Sequence, residues 1–324
     1  MSRPRIPGAD LELALACLAR GEPVAFPTET VYGLGARIDS PRGLERVFHL
    51  KGRPRAHPLI LHLAAARDLE RHARNIPPLA WLLAERYWPG PLTLVLERSD
   101  AVPDAVTGGQ PTVGVRVPAH ALAQQLIARA GVALAAPSAN RFQQLSPTSA
   151  EHVRAAFGDE LCVLDGGPCR GGIESTILDL SGSAPRLLRP GLVTREELEP
   201  LCGPLLEADA GAPRVSGSHP LHYAPRARVE LAAAGEWRRA LEQARARGER
   251  IAALVPHEVV AAAATSDPDV VVLPADGAAA ARALYAALHA FDARGCERIL
   301  AVLPAERALG SAIADRLRRA AGRG

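Results

Sequence analysis

Apolar residues along the chain fall into short runs, and between those runs they recur every third or fourth position. The runs at 23–28, 59–64, 92–97, 112–118, 132–138 and 175–180 predict strands. The helical period over 9–20, 41–50, 76–87, 119–130 and 148–157 predicts helices. Several connections are too short for parallel crossovers, so the α/β layers are expected to enclose a mixed sheet. Between 204 and 225 the periodicity disappears and Gly, Pro, Ala and Ser take over, which predicts a linker. The pattern then restarts: helix 235–247, strands 251–256 and 270–274, helix 277–293, strand 298–304, helix 309–321. Alternation of this kind predicts a small parallel-sheet unit of Rossmann-like layout, although no G-x-G-x-x-G is present to make it a dinucleotide site. The division expected is 1–203, a linker over 204–225, and 226–324.

Composition changes little in this picture. A chain of 324 residues with 48% hydrophobic content can fill two cores. A formal charge of +3 is too mild to announce a nucleic-acid protein. Five cysteines with no C-x-x-C pair indicate neither a disulfide framework nor a zinc site and read as buried free thiols. The first 23 residues contain an amphipathic stretch too short to span a bilayer, so a cytoplasmic protein without membrane contact is expected.

One feature of the composition does point to chemistry. Of 38 basic residues, 37 are arginine, and the single lysine is Lys51, in HLKGRPRAHPLILHL. A compact ammonium delivers a point charge where a planar guanidinium needs more room and two acceptors. No Walker A loop surrounds it, so any phosphate binding is built otherwise. Lys51, Arg53 and Arg55 lie between a helix and a strand, where an ordinary solvated basic loop would look the same.

Other candidates lie at strand ends. FPTETVYGLGA places Thr28, Glu29, Thr30, Tyr32, Gly33 and Gly35 after a strand, suited either to a small polar ligand near backbone amides or to a tight turn. In PTVGVRVPAH, Thr112, Gly114 and Arg116 share one face of a strand, where an arginine can clamp a carboxylate or face solvent. APSANRFQQLSPTSA offers Ser138, Asn140 and Ser146, types equally common as turn and cap residues. GGIESTILDL and LLRPG add Ser175 and Arg189.

Taken in order, PTETVYGLG, the Lys51-Gly52-Arg53 and Ser138-Ala139-Asn140 pair, TVGVRVP, ESTILDL and LRPG resemble the YrdC-type threonylcarbamoyl-AMP synthases. The linker SGSHPLHYAP and the second α/β unit resemble the long, two-domain form, so the likeness covers nearly the whole chain. It implies an open YrdC-like sheet with a basic concave face. It also implies a reaction: L-threonine, bicarbonate and ATP, with Mg²⁺, give threonylcarbamoyl-AMP and pyrophosphate, for a downstream threonylcarbamoyl transferase that modifies tRNA. By the same resemblance Thr30, His62, Arg116 and Ser175, with Ala136, hold threonine. Arg53, His57, Thr112, Ser138, Asn140, Ser146, Arg189 and Tyr223 hold ATP, and Lys51 and Arg53 stabilise the departing pyrophosphate. His57 stands where the family more often has Asn. The linker, with His219, His222 and Tyr223, is placed to be a lid over a hydrolysable product or to be a passive tether. Two other readings fit parts of the chain: a double-stranded RNA or tRNA binding module without catalysis, and a carbamoyltransferase of the hydrogenase-maturation kind, whose zinc-finger C-x-x-C pairs are missing from this sequence.

Overall fold

A computed structural model describes residues 9–217, 221–260 and 267–322. His219, and the first eight residues of the N-terminal stretch, lie outside them. The first unit contains strands β1 (Val24–Phe26), β2 (Gly33–Arg37), β3 (Ile60–His62), β4 (Leu92–Glu97), β5 (Thr112–Arg116), β6 (Leu134–Ala136), β7 (Cys162–Val163), β8 (Thr176–Asp179), β9 (Arg186–Arg189) and β10 (Leu206–Glu207). Its helices are α1 (Ala9–Ala19), α2 (Pro41–Lys51), α3 (Leu69–His72), α4 (Pro78–Tyr87), α5 (Asp104–Thr107), α6 (Ala121–Ala130), α7 (Ala150–Phe157) and α8 (Arg195–Cys202). The second unit has β11 (Arg228–Leu231), β12 (Ile251–Pro256), β13 (Val270–Leu273) and β14 (Arg298–Ala301), with α9 (Trp237–Ala246), α10 (Gly277–Ala293) and α11 (Leu309–Ala320).

The first sheet runs β10-β9-β8-β4-β5-β3-β6-β2-β1-β7 and is mixed: β3 is parallel to β5 and β4 to β8, while β4/β5, β3/β6 and β8/β9 are antiparallel. The second, β11-β14-β12-β13, is parallel throughout. This is the α/β architecture the periodicity predicts. Residues 206–207, expected in the linker, add a parallel edge to the first sheet against β9.

Local sequence explains the elements that carry the site. Ser40 caps α2 by accepting from the Gly43 N–H, Pro41 opens it, and it stops at Gly52, whose N–H turns back to the Phe48 and His49 carbonyls. In β5, Val113 and Val115 enter the core, and Thr112 and Arg116 take the other face with Gly114. Gly33 and Gly35, which suit either a ligand-binding segment or a tight turn, open β2, paired antiparallel with β1. Gly35 is required there by packing, since a Cβ would lie 2.6 Å from the Phe26 ring.

The two units share a core. Val31, Leu145 and Ile173 of the first unit, and Tyr223 of the linker, cluster with Ala281, Leu284 and Tyr285 of α10 and Ile313 and Leu317 of α11. Gly172, at φ +78°, lets a loop of the first unit press onto α10, where a Cβ would lie 2.3 Å from the Arg282 Cα. Arg282 Nε also donates to the Arg170 carbonyl at 2.8 Å.

Candidate active site

The ends of β1, β3, β5, β6, β8 and β9 converge on one cavity, which the linker closes. It is lined by Thr28, Thr30, Ile60, His62, Arg116, Ala136, Ser138, Glu174, Ser175 and Arg189 from the sheet side and by Ser216, His222 and Tyr223 from the linker. Eight expected ligand-holding residues therefore meet: Thr30, His62, Arg116, Ala136, Ser138, Ser175, Arg189 and Tyr223. The cavity volume is about 40 Å³, room for roughly two or three waters rather than a nucleotide.

Arg116, expected as a carboxylate clamp, already holds one carboxylate of its own chain. Its Nη2 donates to Glu29 Oε1 at 3.0 Å, and both terminal nitrogens reach Thr30 Oγ1 at 3.2 Å. Its Nε has no partner among the described residues. Burial weakens the hold of this guanidinium on its proton, Glu29 opposes that, and Arg189 adds to it. Beside it, burial and then Arg116 push the His62 imidazole down to about 3, so the ring is neutral at pH 7. Its Nδ1 lies 3.1 Å from the Ile60 carbonyl and its ring stands edge-on to Phe26. Arg189 Nε and Nη2 donate to the Ser175 carbonyl at 3.1 and 2.8 Å, and Nη1 donates to the Ser216 carbonyl of the linker at 2.9 Å. The Ser175 hydroxyl lies 2.8 Å from that of Thr93.

The remaining expected residues stand around the cavity rather than on its lining. The resemblance puts Lys51 beside the phosphates. In the structure its Nζ donates to the Ser138 carbonyl at 2.7 Å, to the Asn140 carbonyl, and to Asn140 Oδ1 at 3.5 Å. Three converging oxygens suit the three protons of an ammonium, and that geometry is what a guanidinium cannot match. Burial, then Arg53, push the Lys51 pKa well down, while the three oxygens favour the charged form. Arg53 Nη2 donates to the Pro58 carbonyl at 3.0 Å, and burial lowers its pKa to about 10. His57 meets Phe142 edge-on at 5.3 Å, and Asn140 Nδ2 donates to the Arg141 and Gln144 carbonyls. Thr112 lines a neighbouring cavity under Val215 and Ser216. Ser146 donates to Glu174 Oε1 at 2.5 Å.

Sequence reasoning missed Glu174 and Arg316. Glu174 is 6% exposed and Arg316 1%. Glu174 directly precedes the expected Ser175, so the motif itself was a signal. Arg316 lies in a basic helix end that resembles a solvated face. With both included, the buried charges around the cavity among the described residues are five basic side chains, Lys51, Arg53, Arg116, Arg189 and Arg316, against two carboxylates, Glu29 and Glu174. Burial, with Lys51, Arg53, Arg189 and Arg316 nearby, drives the His222 pKa far down and keeps that ring neutral. A cavity so biased is built for anions. The cysteines are free, and burial pushes the Cys162 and Cys169 thiols up to about 12. No group of three or more potential metal-binding side chains occurs among the described residues, and no described helix is long and apolar enough to cross a membrane.

A family model described as "Telomere recombination" matches residues 16–191, and one described as "Threonylcarbamoyl-AMP synthase, C-terminal domain" matches residues 193–322. The protein named threonylcarbamoyl-AMP synthase in Pyrococcus abyssi is 40% identical, across 99% of this chain and 96% of its own length. That of Bacillus subtilis is 37% identical, across 95% and 92%. The crystal structure of P. abyssi Sua5 complexed with L-threonine superposes with a TM-score of 0.89 at 39% identity, covering 99% of this chain and 96% of that one.

Proposed function

The chain belongs to the threonylcarbamoyl-AMP synthase family, and we propose that it is a nucleotidyltransferase joining L-threonine, bicarbonate and ATP into threonylcarbamoyl-AMP with release of pyrophosphate. The observation that carries this reading is the surplus of buried positive charge around a cavity lined by Thr30, His62, Arg116 and Ser175. Such a surplus suits a carboxylate and a polyphosphate brought together away from water. The relatives' names favour catalysis over the RNA-binding alternative.

The threonine amine adds to bicarbonate with loss of water, and the resulting carbamate oxygen attacks the α-phosphorus of ATP. The bond to the β-phosphate bridging oxygen breaks, and pyrophosphate leaves with the electron pair. Thr30, Arg116, Ser175, the neutral His62 and the Ala136 backbone hold threonine. Ser138, Arg189 and Tyr223 hold ATP, with Arg53, His57, Thr112, Asn140 and Ser146 nearby. Following the resemblance, Arg53 and Lys51 are the cations assigned to the departing pyrophosphate. Lys51 contributes charge and fixes the 138–140 loop. Magnesium would enter with the nucleotide and offset phosphate charge; Glu29 and Glu174, the carboxylates at the cavity, are both engaged by arginines. The described linker residues beyond β10 act as the lid, since Ser216, His222 and Tyr223 occupy room a nucleotide needs. The product is passed to a transferase acting on tRNA in the cytoplasm.

Purified protein incubated with ATP, Mg²⁺, bicarbonate and labelled threonine should form threonylcarbamoyl-AMP by mass spectrometry. A binding module would release no pyrophosphate, and product formed without bicarbonate would refute carbamate formation as the first step.

A further inference from the structure

Two polar side chains of the second unit reach through the junction between the units to one buried carboxylate of the first. Arg316 of α11 and Tyr285 of α10 are both essentially inaccessible to solvent. They converge on Glu174, which lines the cavity of the first unit. Arg316 Nε donates to Glu174 Oε2 at 3.0 Å, and the Tyr285 hydroxyl donates to the same carboxylate at 3.1 Å. Ser146 completes the ring of donors at 2.5 Å. The guanidinium is held from behind as well: its Nη1 donates to the Pro190 carbonyl at 2.6 Å and to Asp315 Oδ2 at 3.0 Å. Its flat face lies 5.3 Å from the centre of the Tyr223 ring.

A carboxylate on the wall of an anion pocket is a liability unless it is neutralised, because charges interact strongly in a low-dielectric site. Removing one member of a buried pair leaves an uncompensated charge, whereas removing both is often tolerated. We infer that Arg316 and Tyr285 are positioning residues that the second unit supplies to the active site: they neutralise and orient Glu174, and with it Ser146, so that the cavity keeps its attraction for anionic substrates. This rests on the synthase reading above and gives the second unit a direct part in substrate binding.

The groups facing Glu174 are Arg316 from α11, backed by Asp315, Tyr285 from α10, Arg189 from β9, Ser146 from the segment before α7, and Tyr223 from the linker. Burial on its own would raise the Glu174 carboxyl; Arg316, then Arg189, hold it below the usual carboxylate range. Without Arg316 the burial effect prevails, the carboxyl takes up a proton more readily, and the liability fades as pH falls.

The test is a double-variant cycle in the full chain: wild type, Arg316→Met, Glu174→Gln, and both together, each with a thermal melt and with KM values for threonine and ATP from threonylcarbamoyl-AMP formation. Arg316→Met should raise KM roughly tenfold or more, with a smaller effect on kcat. Its KM should fall between pH 8 and pH 6 while that of the wild type does not. Adding Glu174→Gln should recover at least about half of the loss on a logarithmic scale, a compensation that a merely structural arginine would not give. Arg316→Met with wild-type KM, or a double variant no better than it, overturns the inference. If Arg316→Met shows no cooperative melt, the double variant decides: a restored melt with KM near that of the wild type upholds the inference, and a folded double variant with a tenfold higher KM overturns it. A well-folded wild type that forms no threonylcarbamoyl-AMP defeats the synthase reading, and this inference with it. A working wild type with an unresponsive cycle defeats the inference alone.

Discussion

On α2, Leu44, Val47, Phe48 and Lys51 share the buried stripe; on α11, Ile313, Arg316, Leu317 and Ala320 share theirs. Each helix thus aims one cation into the protein, and the two are neutralised in different ways. Lys51 is caged by oxygens of its own unit, neutral dipoles that follow β6. Arg316 is paired with a full negative charge across the junction. A point charge on a thin stem fits the first place, and a fork that spans a carboxylate and a carbonyl fits the second. The difference teaches where the units are separable: the Lys51 nook needs nothing from the second unit, whereas Glu174 is incomplete without it.

The severest way to break this contrast is to end the chain after Glu207, which keeps the first sheet intact. The cut strips cover from Val31, Leu145 and Ile173, each worth about 1.5 to 3 kcal/mol when buried, and leaves Glu174 unpaired. Aggregation or loss of a cooperative melt is expected in size-exclusion and calorimetry runs. A truncated chain that melts as sharply as the full one would show the units to be independent.

A pair wholly inside the first unit comes next. Arg116→Ala abandons Glu29 in the interior, at a cost of about 3 to 5 kcal/mol of stability. Threonine binding should weaken far more than ATP binding, which calorimetric titration at a temperature where the variant is folded will read. Unchanged threonine affinity would remove Arg116 from the site.

Lys51→Arg tests the carbonyl cage. Keeping the charge while adding bulk should cost roughly 2 to 4 kcal/mol, from overpacking and from carbonyls left without donors. Turnover should fall with it, and the loss should appear equally in a chain whose second unit is disturbed by Arg316→Met. A variant that melts with the wild type would mean the cage is loose.

The mildest test concerns His62, a buried ring that carries no charge. Its folded pKa, about 3, lies below the ordinary 6.5. The unfolded chain therefore binds the extra proton first, and stability drains away as pH falls from about 6.5 toward 3. The loss attributable to this ring is about 2 kcal/mol by pH 5. His62→Gln should lessen the fall in melting temperature between pH 7 and pH 5, the remainder coming from other buried imidazoles such as His152 and His222, and an unchanged slope would assign the acid sensitivity elsewhere.

Much of this arrangement is legible in the sequence because it follows from period alone. The strand alternation in β5 sets Arg116 apart from its valines; Arg316 shares a stripe with Ile313, Leu317 and Ala320, a signal that sequence reasoning passed over. Neighbouring Arg318 and Arg319 hide that signal, because they make the segment look solvated. The glycines of β2 suggest a turn because glycine usually punctuates, whereas in this strand Gly35 yields space to the Phe26 ring. β9 and β11, RLLR and RVEL, are too short and too polar to show an alternating signal. Lys51 stands out by its rarity, but its acceptors come from residues nearly ninety positions away, a distance no local pattern crosses.

The shared core also sets an order of events during synthesis. Ribosomes release chain from the N-terminus at roughly 5–20 residues per second, so on the order of ten seconds separate the last strand of the first sheet from α11. Throughout that interval Val31, Leu145 and Ile173 lack the apolar cover of the second unit, and Glu174 lacks Arg316 and Tyr285. An apolar flank exposed in this way is prone to aggregation until α10 and α11 emerge and dock.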